Sequence, residues 1–133
     1  MVSNFDIKAA FYAQVRSFAD DNNIDSIIWD ASVDDQDGIA KWIEVNHRPN
    51  DYDPFLSDQR NVKRGFFTLT YVIRRTPTAE SELVSFEGLV QSEWPKTTVI
   101  YDNVQTTATP AILGTIERRD TAITLSMNIP YEE

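Results

Sequence analysis

Thr121-Ala122-Ile123-Thr124-Leu125-Ser126-Met127-Asn128-Ile129 alternates without a fault. Thr121, Ile123, Leu125, Met127 and Ile129 share one face, while Ala122, Thr124, Ser126 and Asn128 share the other. A period of two marks a half-buried strand. Only Pro130, Tyr131 and two glutamates follow. This stretch predicts a sheet closed by its last strand, and it sets the frame in which the earlier residues are read.

Upstream, Ala111–Glu117 and a turn at Arg118-Arg119-Asp120 supply the other arm of a closing hairpin. Pro110 breaks the run before it. Thr97–Tyr101, Asp102-Asn103 and Val104–Thr109 read as strand, turn and strand. Ala79, Leu83, Phe86 and Val90 recur at helical spacing, with Trp94 near the same stripe. Pro95 stops that helix, and Thr76-Pro77-Thr78 starts it, with either Thr as a candidate cap. Before it lies a long strand from about Val62 to Arg75, with Phe67, Leu69, Tyr71 and Ile73 on one face. Residues 49–61 carry no period, and a loop of that length is uncommon without a task.

A strand from about Ile39 to Arg48 turns Ile43 and Val45 one way and Trp42 the other. Ile27-Ile28-Trp29 is a short strand or a buried connection. At the start, Ser3 and Asp6 form a capping-box pattern. Ile7, Phe11, Val15 and Phe18 then line a helix from about Asn4 to Ala19. The order predicts a single α+β domain over residues 1–133: a mostly antiparallel sheet with two helices packed on one face. Phe11, Phe67, Leu69, Phe86, Leu125 and Met127 are the expected core.

The 133 residues are 41% hydrophobic and 25% charged, as in a globular domain, and no apolar run is long enough for a membrane helix. No secretory signal is evident at Met1–Asp6. Cysteine is absent, which removes disulfides, thiolate metal sites and cysteine nucleophiles. The net charge is −9, and residues 1–59 hold twelve acids against four bases. Tight nucleic-acid binding needs the opposite balance.

No chemical motif in the chain is complete. Asp35, Asp37, Gly38 and Glu44 fit four positions of a calcium loop, but its first position is Val33, which has no side-chain oxygen. His47 is the only histidine and has no nucleophile elbow near it in sequence. It reads as a structural group on the outer part of a strand. No catalytic residue, cofactor or metal is expected. The remaining candidates are contact residues. Tyr52, Phe55 and Leu56 are apolar side chains in a polar loop, suited to anchoring a partner. Arg60, Lys63 and Arg64, with Arg118 and Arg119, are basic groups that either protect sheet edges or meet acidic patches on neighbouring copies. Arg74-Arg75 is a third basic pair.

In the order and length of its elements, the chain resembles the tail terminators of phages with long non-contractile tails, the minor tail protein U-like family. The likeness rests on six features. These are the leading helix Asp6–Phe18, the run Ile27-Ile28-Trp29-Asp30, and the strand Trp42-Ile43-Glu44-Val45 with its long following loop. The glycine-led strand Gly65-Phe66-Phe67-Thr68-Leu69-Thr70-Tyr71, a second helix of the expected length and place, and the closing hairpin ending in Ile129-Pro130-Tyr131 complete it. The resemblance implies a structural virion protein, not an enzyme. It implies a homo-oligomeric ring, usually hexameric, that caps the tail tube, ends its growth and presents a surface for head joining. The implied partners are the major tail tube protein and a head-completion or connector protein, with DNA passing through the channel unbound. The implied place is the head-proximal end of a tail assembled in the bacterial cytoplasm. Another head–tail joining or contractile-tail completion protein is the alternative, followed by a small α+β enzyme or ligand-binding domain.

Overall fold

The computed structural model describes residues 3–24, 26–29, 40–50, 63–119 and 121–133. Helix α1 (Asn4–Asp21) begins where the capping box places it. The Ser3 hydroxyl accepts from the Asp6 amide at 3.1 Å, and the Ser3 amide donates to the Asp6 carboxylate at 3.4 Å. Two orphan donors of the first turn are thereby satisfied. Ile7, Phe11, Val15, Phe18 and Ala19 form its buried stripe.

The strands are β1 (Ser26–Trp29), β2 (Lys41–Pro49), β3 (Arg64–Arg74), β4 (Val99–Tyr101), β5 (Val104–Thr106), β6 (Ala111–Ile112), β7 (Glu117–Arg118) and β8 (Ala122–Glu132). They form one sheet in the order β1-β2-β3-β8-β5-β4, with β6 and β7 also on β8. Among the described strands only β1 and β2 run parallel. Helix α2 (Ala79–Glu93) joins β3 to β4. The fold is therefore α+β, with two helices and a mixed, mostly antiparallel eight-stranded sheet.

The last strand is interior, not an edge. β3 lines one side of β8 over its full length, from Arg64↔Glu132 to Arg74↔Ala122. The other side is served in turn by β7, β6 and β5. Pro130 sits opposite the gap between β6 and β5. Its carbonyl accepts from Thr107, so its missing N–H faces the same gap and costs no ladder bond. The expected single strand over Ala111–Glu117 is split in two. Gly114 lies between the halves with φ of +91°, a left-handed conformation that glycine reaches without steric cost.

The phase of β3 and β8 is the one expected. Phe67, Leu69, Tyr71 and Ile73 face the helices with Ile123, Leu125, Met127, Ile129 and Tyr131. Phe11 stacks on Phe67 at 3.9 Å, and Phe18 meets Phe86 edge-on at 5.9 Å. All six expected core residues lie in this one cluster. Each full burial of this kind contributes roughly 1.5–3 kcal/mol. Trp94 is also buried, and its indole N–H is satisfied by the Gln14 side chain at 2.9 Å.

Helix α2 starts differently from expectation. Thr78 is the cap residue but makes no side-chain cap bond, and Pro77 precedes the helix. Glu80 and Glu82 in the first turn complement the helix dipole instead.

Candidate interaction surfaces

The sheet has two ends, and the basic groups divide between them. Lys63 and Arg64 stand where β3 begins, beside the end of β8. Arg74, Arg75, Arg118 and Arg119 stand where β3 ends and β8 begins. Ten residue steps along β3 separate the two groups, roughly 33 Å. The sequence did not reveal that Arg74-Arg75 and Arg118-Arg119 are neighbours. Arg75 donates to the Arg119 carbonyl at 3.3 Å, and Arg74 donates to the Thr121 hydroxyl at 3.3 Å.

Arg119 is committed within the subunit. Its guanidinium grips both oxygens of Glu44, at 3.0 and 3.2 Å, and the Trp42 indole donates to the same carboxylate at 3.0 Å. Arg119 enters from the turn after β7, while Glu44 is on β2, so the pair reaches across β8 and β3. Val72, Ala122 and Trp42 form a small cluster on this helix-free face. Burial acts to raise the Glu44 carboxyl. The hydrogen bonds from Arg119 and Trp42 and the Arg119 charge outweigh it, and the group is held below its ordinary value. The bond to Glu44 correspondingly raises Arg119. Arg118 makes a long, exposed pair with Glu80, at 3.8 Å.

At the other end, Arg64 donates to the Asn50 carbonyl and the Lys63 amide donates to the Glu133 carboxylate. His47 shares a 2.6 Å hydrogen bond with the Tyr131 hydroxyl and stacks on Phe67 at 4.4 Å. These contacts tie the histidine of β2 to β3 and to the end of β8. Gly65 lies against this pair. A Cβ built there meets the Arg48 carbonyl at 2.5 Å and the Tyr131 hydroxyl at 2.9 Å. Glycine leads this strand because a backbone and a tyrosine occupy the space of a side chain.

Tyr52, Phe55, Leu56 and Arg60, together with Asp35, Asp37 and Gly38, lie outside the described residues. The described exposed apolar side chains are instead Phe5 on α1, Val84 and Leu89 on α2, Val99 and Tyr101 on β4, Ile112 on β6 and Leu113 just after it. Another grouping went unread in the sequence. Tyr12 stacks on Trp29 at 4.1 Å, with Lys8 over Tyr12 and Arg16 over Trp29. Its signal was the spacing of Lys8, Tyr12 and Arg16, each four residues apart on one helix flank.

Three clefts of about 220, 200 and 290 Å³ open around the start of α2 and the adjoining strand ends. Among the described residues no three His, Asp or Glu side chains converge as metal ligands. No described helix is long and apolar enough to cross a membrane.

No family model matches the chain, and no curated protein matches it in sequence. Several solved structures have a similar fold, among them one with a TM-score of 0.72 at 17% identity. The match covers 99% of this chain and 96% of the other. That protein's name states no activity, and identity at this level shows the fold alone.

Proposed function

We propose that this chain is a tail terminator: a structural protein whose copies form a ring on the end of a phage-type tail tube, stop its growth and present the surface that the head joins. The observation that supports this best is the arrangement of the elements on which the family resemblance rests. The glycine-led strand and the Ile-Pro-Tyr ending are direct partners, Gly65↔Tyr131 and Phe67↔Ile129, at the centre of the sheet. The leading helix and the second helix pack on the same face of that sheet.

The mechanism is geometric. One face of the ring matches the tube's last layer and docks on it, while the other face does not repeat that surface, so no further tube subunit adds. A closed ring needs a heterologous contact, in which one patch of each copy meets a different patch of the next. The acidic balance of −9 per copy suits a channel through which DNA slides without being held. Native mass spectrometry and electron microscopy of concentrated protein, alone and with tube protein, test this reading. It expects closed rings, hexameric by family resemblance, seated on tube ends. A protein that stays monomeric at every concentration and ignores tube ends sinks it.

A further inference from the structure

Helix α1 has two occupied flanks. On one, Tyr12 lies against Trp29 of β1 with the rings inclined by 25°. Lys8 Nζ is 5.6 Å from the Tyr12 ring centre, and the Arg16 guanidinium carbon is 5.9 Å from that of Trp29. Neither ring is fully buried, and Arg16 is exposed. Trp29 belongs to β1, which ends the sheet and among the described residues pairs only with β2. On the other flank, Gln14 bonds Trp94 at the end of α2 and the β4 carbonyls of Val99 and Ile100. Positions 12 and 14 are separated by roughly 200° around a helix of 3.6 residues per turn. The aromatic flank and α2 are thus on opposite sides of α1.

We propose that the Lys8–Tyr12–Arg16–Trp29 flank of one copy docks on the outer face of α2 in a second copy, and that this is the repeating contact of the ring. The inference rests on the ring reading above and names its two surfaces. The chemistry of each surface matches the other. Tyr, Trp and Arg are the residue types that dominate interface hot spots. Residues 1–59 contain only four basic side chains, Lys8, Arg16, Lys41 and Arg48, and two of the four flank this aromatic pair. Helix α2 is the converse. Its sequence AESELVSFEGLVQSE holds Glu80, Glu82, Glu87 and Glu93 and no base. Glu80, Val84 and Glu87 share one flank of it at i, i+4 and i+7, where Val84 is 59% exposed and Glu80 stays exposed in its long pair with Arg118. An aromatic pair bordered by cations therefore faces an exposed valine bordered by carboxylates.

Copies that each carry −9 repel one another at a distance. Local complementarity is then what sets which surfaces meet and in what register. Because the two patches lie on opposite sides of α1, the contact is head-to-tail and can repeat around a ring.

The test is a pair of charge reversals followed by mixing. One variant carries Lys8→Glu and Arg16→Glu, and the other carries Glu80→Lys and Glu87→Lys. Sedimentation and electron microscopy follow assembly at fixed salt, and thermal melts check that each variant folds. Each variant alone is expected to self-associate at least about tenfold more weakly than wild type, since attraction at two pairs becomes repulsion. An equimolar mixture is expected to regain rings, because alternating copies restore a matched pair at every contact. Folded variants that assemble alone as well as wild type, or a mixture that stays dispersed, overturn the assignment of surfaces while the ring reading stands. Wild-type protein that forms no ring overturns both. If either reversal fails to fold, Lys8→Gln with Arg16→Gln against Glu80→Gln with Glu87→Gln replaces it. Each neutral variant must then weaken assembly, and wild-type affinity in either one refutes the pairing.

Discussion

Replacing Gly65 by Ala tests how the central strand is built. The added Cβ falls 2.5 Å from the Arg48 carbonyl oxygen, 2.9 Å from Pro49 Cα and 2.9 Å from the Tyr131 hydroxyl. Two of these obstacles are backbone of the paired strand β2 and cannot rotate away. Overpacking of this kind costs about 1–3 kcal/mol. Displacing Tyr131 from His47 forfeits a further 0.5–1.5 kcal/mol or so for the hydrogen bond. Restricting the unfolded chain returns about 0.4–1 kcal/mol. The net expectation is a loss of roughly 1–3 kcal/mol, or several degrees in melting temperature for a domain of this size. Urea unfolding followed by tryptophan fluorescence measures it. The double variant Gly65→Ala/Tyr131→Phe removes only one of the three contacts, so it should stay clearly less stable than Tyr131→Phe alone. A Gly65→Ala protein as stable as wild type refutes the close approach. Full rescue by Tyr131→Phe would place the strain on the hydroxyl and not on the backbone.

Leu69→Ala empties a fully buried site between the helices and should cost about 2–5 kcal/mol; an unchanged melt would overturn the phase of β3. Ser3→Ala removes the helix cap and should cost about 1 kcal/mol, with amide exchange rising in the first turn of α1 and not elsewhere. Glu44→Gln should cost on the order of 1 kcal/mol or less at neutral pH, because the Arg119 side chain is 47% exposed and solvent screens the pair. The Glu44 carboxyl is lowered in the folded state, so its contribution is full above the unfolded value and is lost as pH falls through the folded one. Wild type and Glu44→Gln should therefore converge in acid, and a difference that persists or grows there contradicts the Arg119 clamp.

The faces of the elements were legible because burial imposes a period. Thr121–Ile129, Phe67–Ile73 and the Ile7–Phe18 stripe each state which side is wet. The order of strands was not legible, since alternation names a face and not a neighbour. That is why β8 was read as closing the sheet when it runs through the middle. Gly114 broke a strand expected over Ala111–Glu117, because one left-handed residue outweighs a weak apolar pattern. The candidate contacts were legible in part. Lys63, Arg64 and Arg118 are surface cations, but Arg119 proved to be spent on Glu44, a residue 75 positions away. Local sequence carries no trace of such a pairing. The Tyr12–Trp29 stack was hidden for the same reason: one ring lies on a helix and the other on a strand.

The central claim is that the protein ends tube growth. Its most direct test is the length of tails made in cells whose tail genes are intact except for this one. Tails are measured by negative-stain electron microscopy, with the gene supplied in trans as a control. The account predicts tubes that overrun the normal length and lack heads, with uniform, joined tails restored by the wild-type gene. Tails of normal, uniform length in the absence of the protein would contradict it.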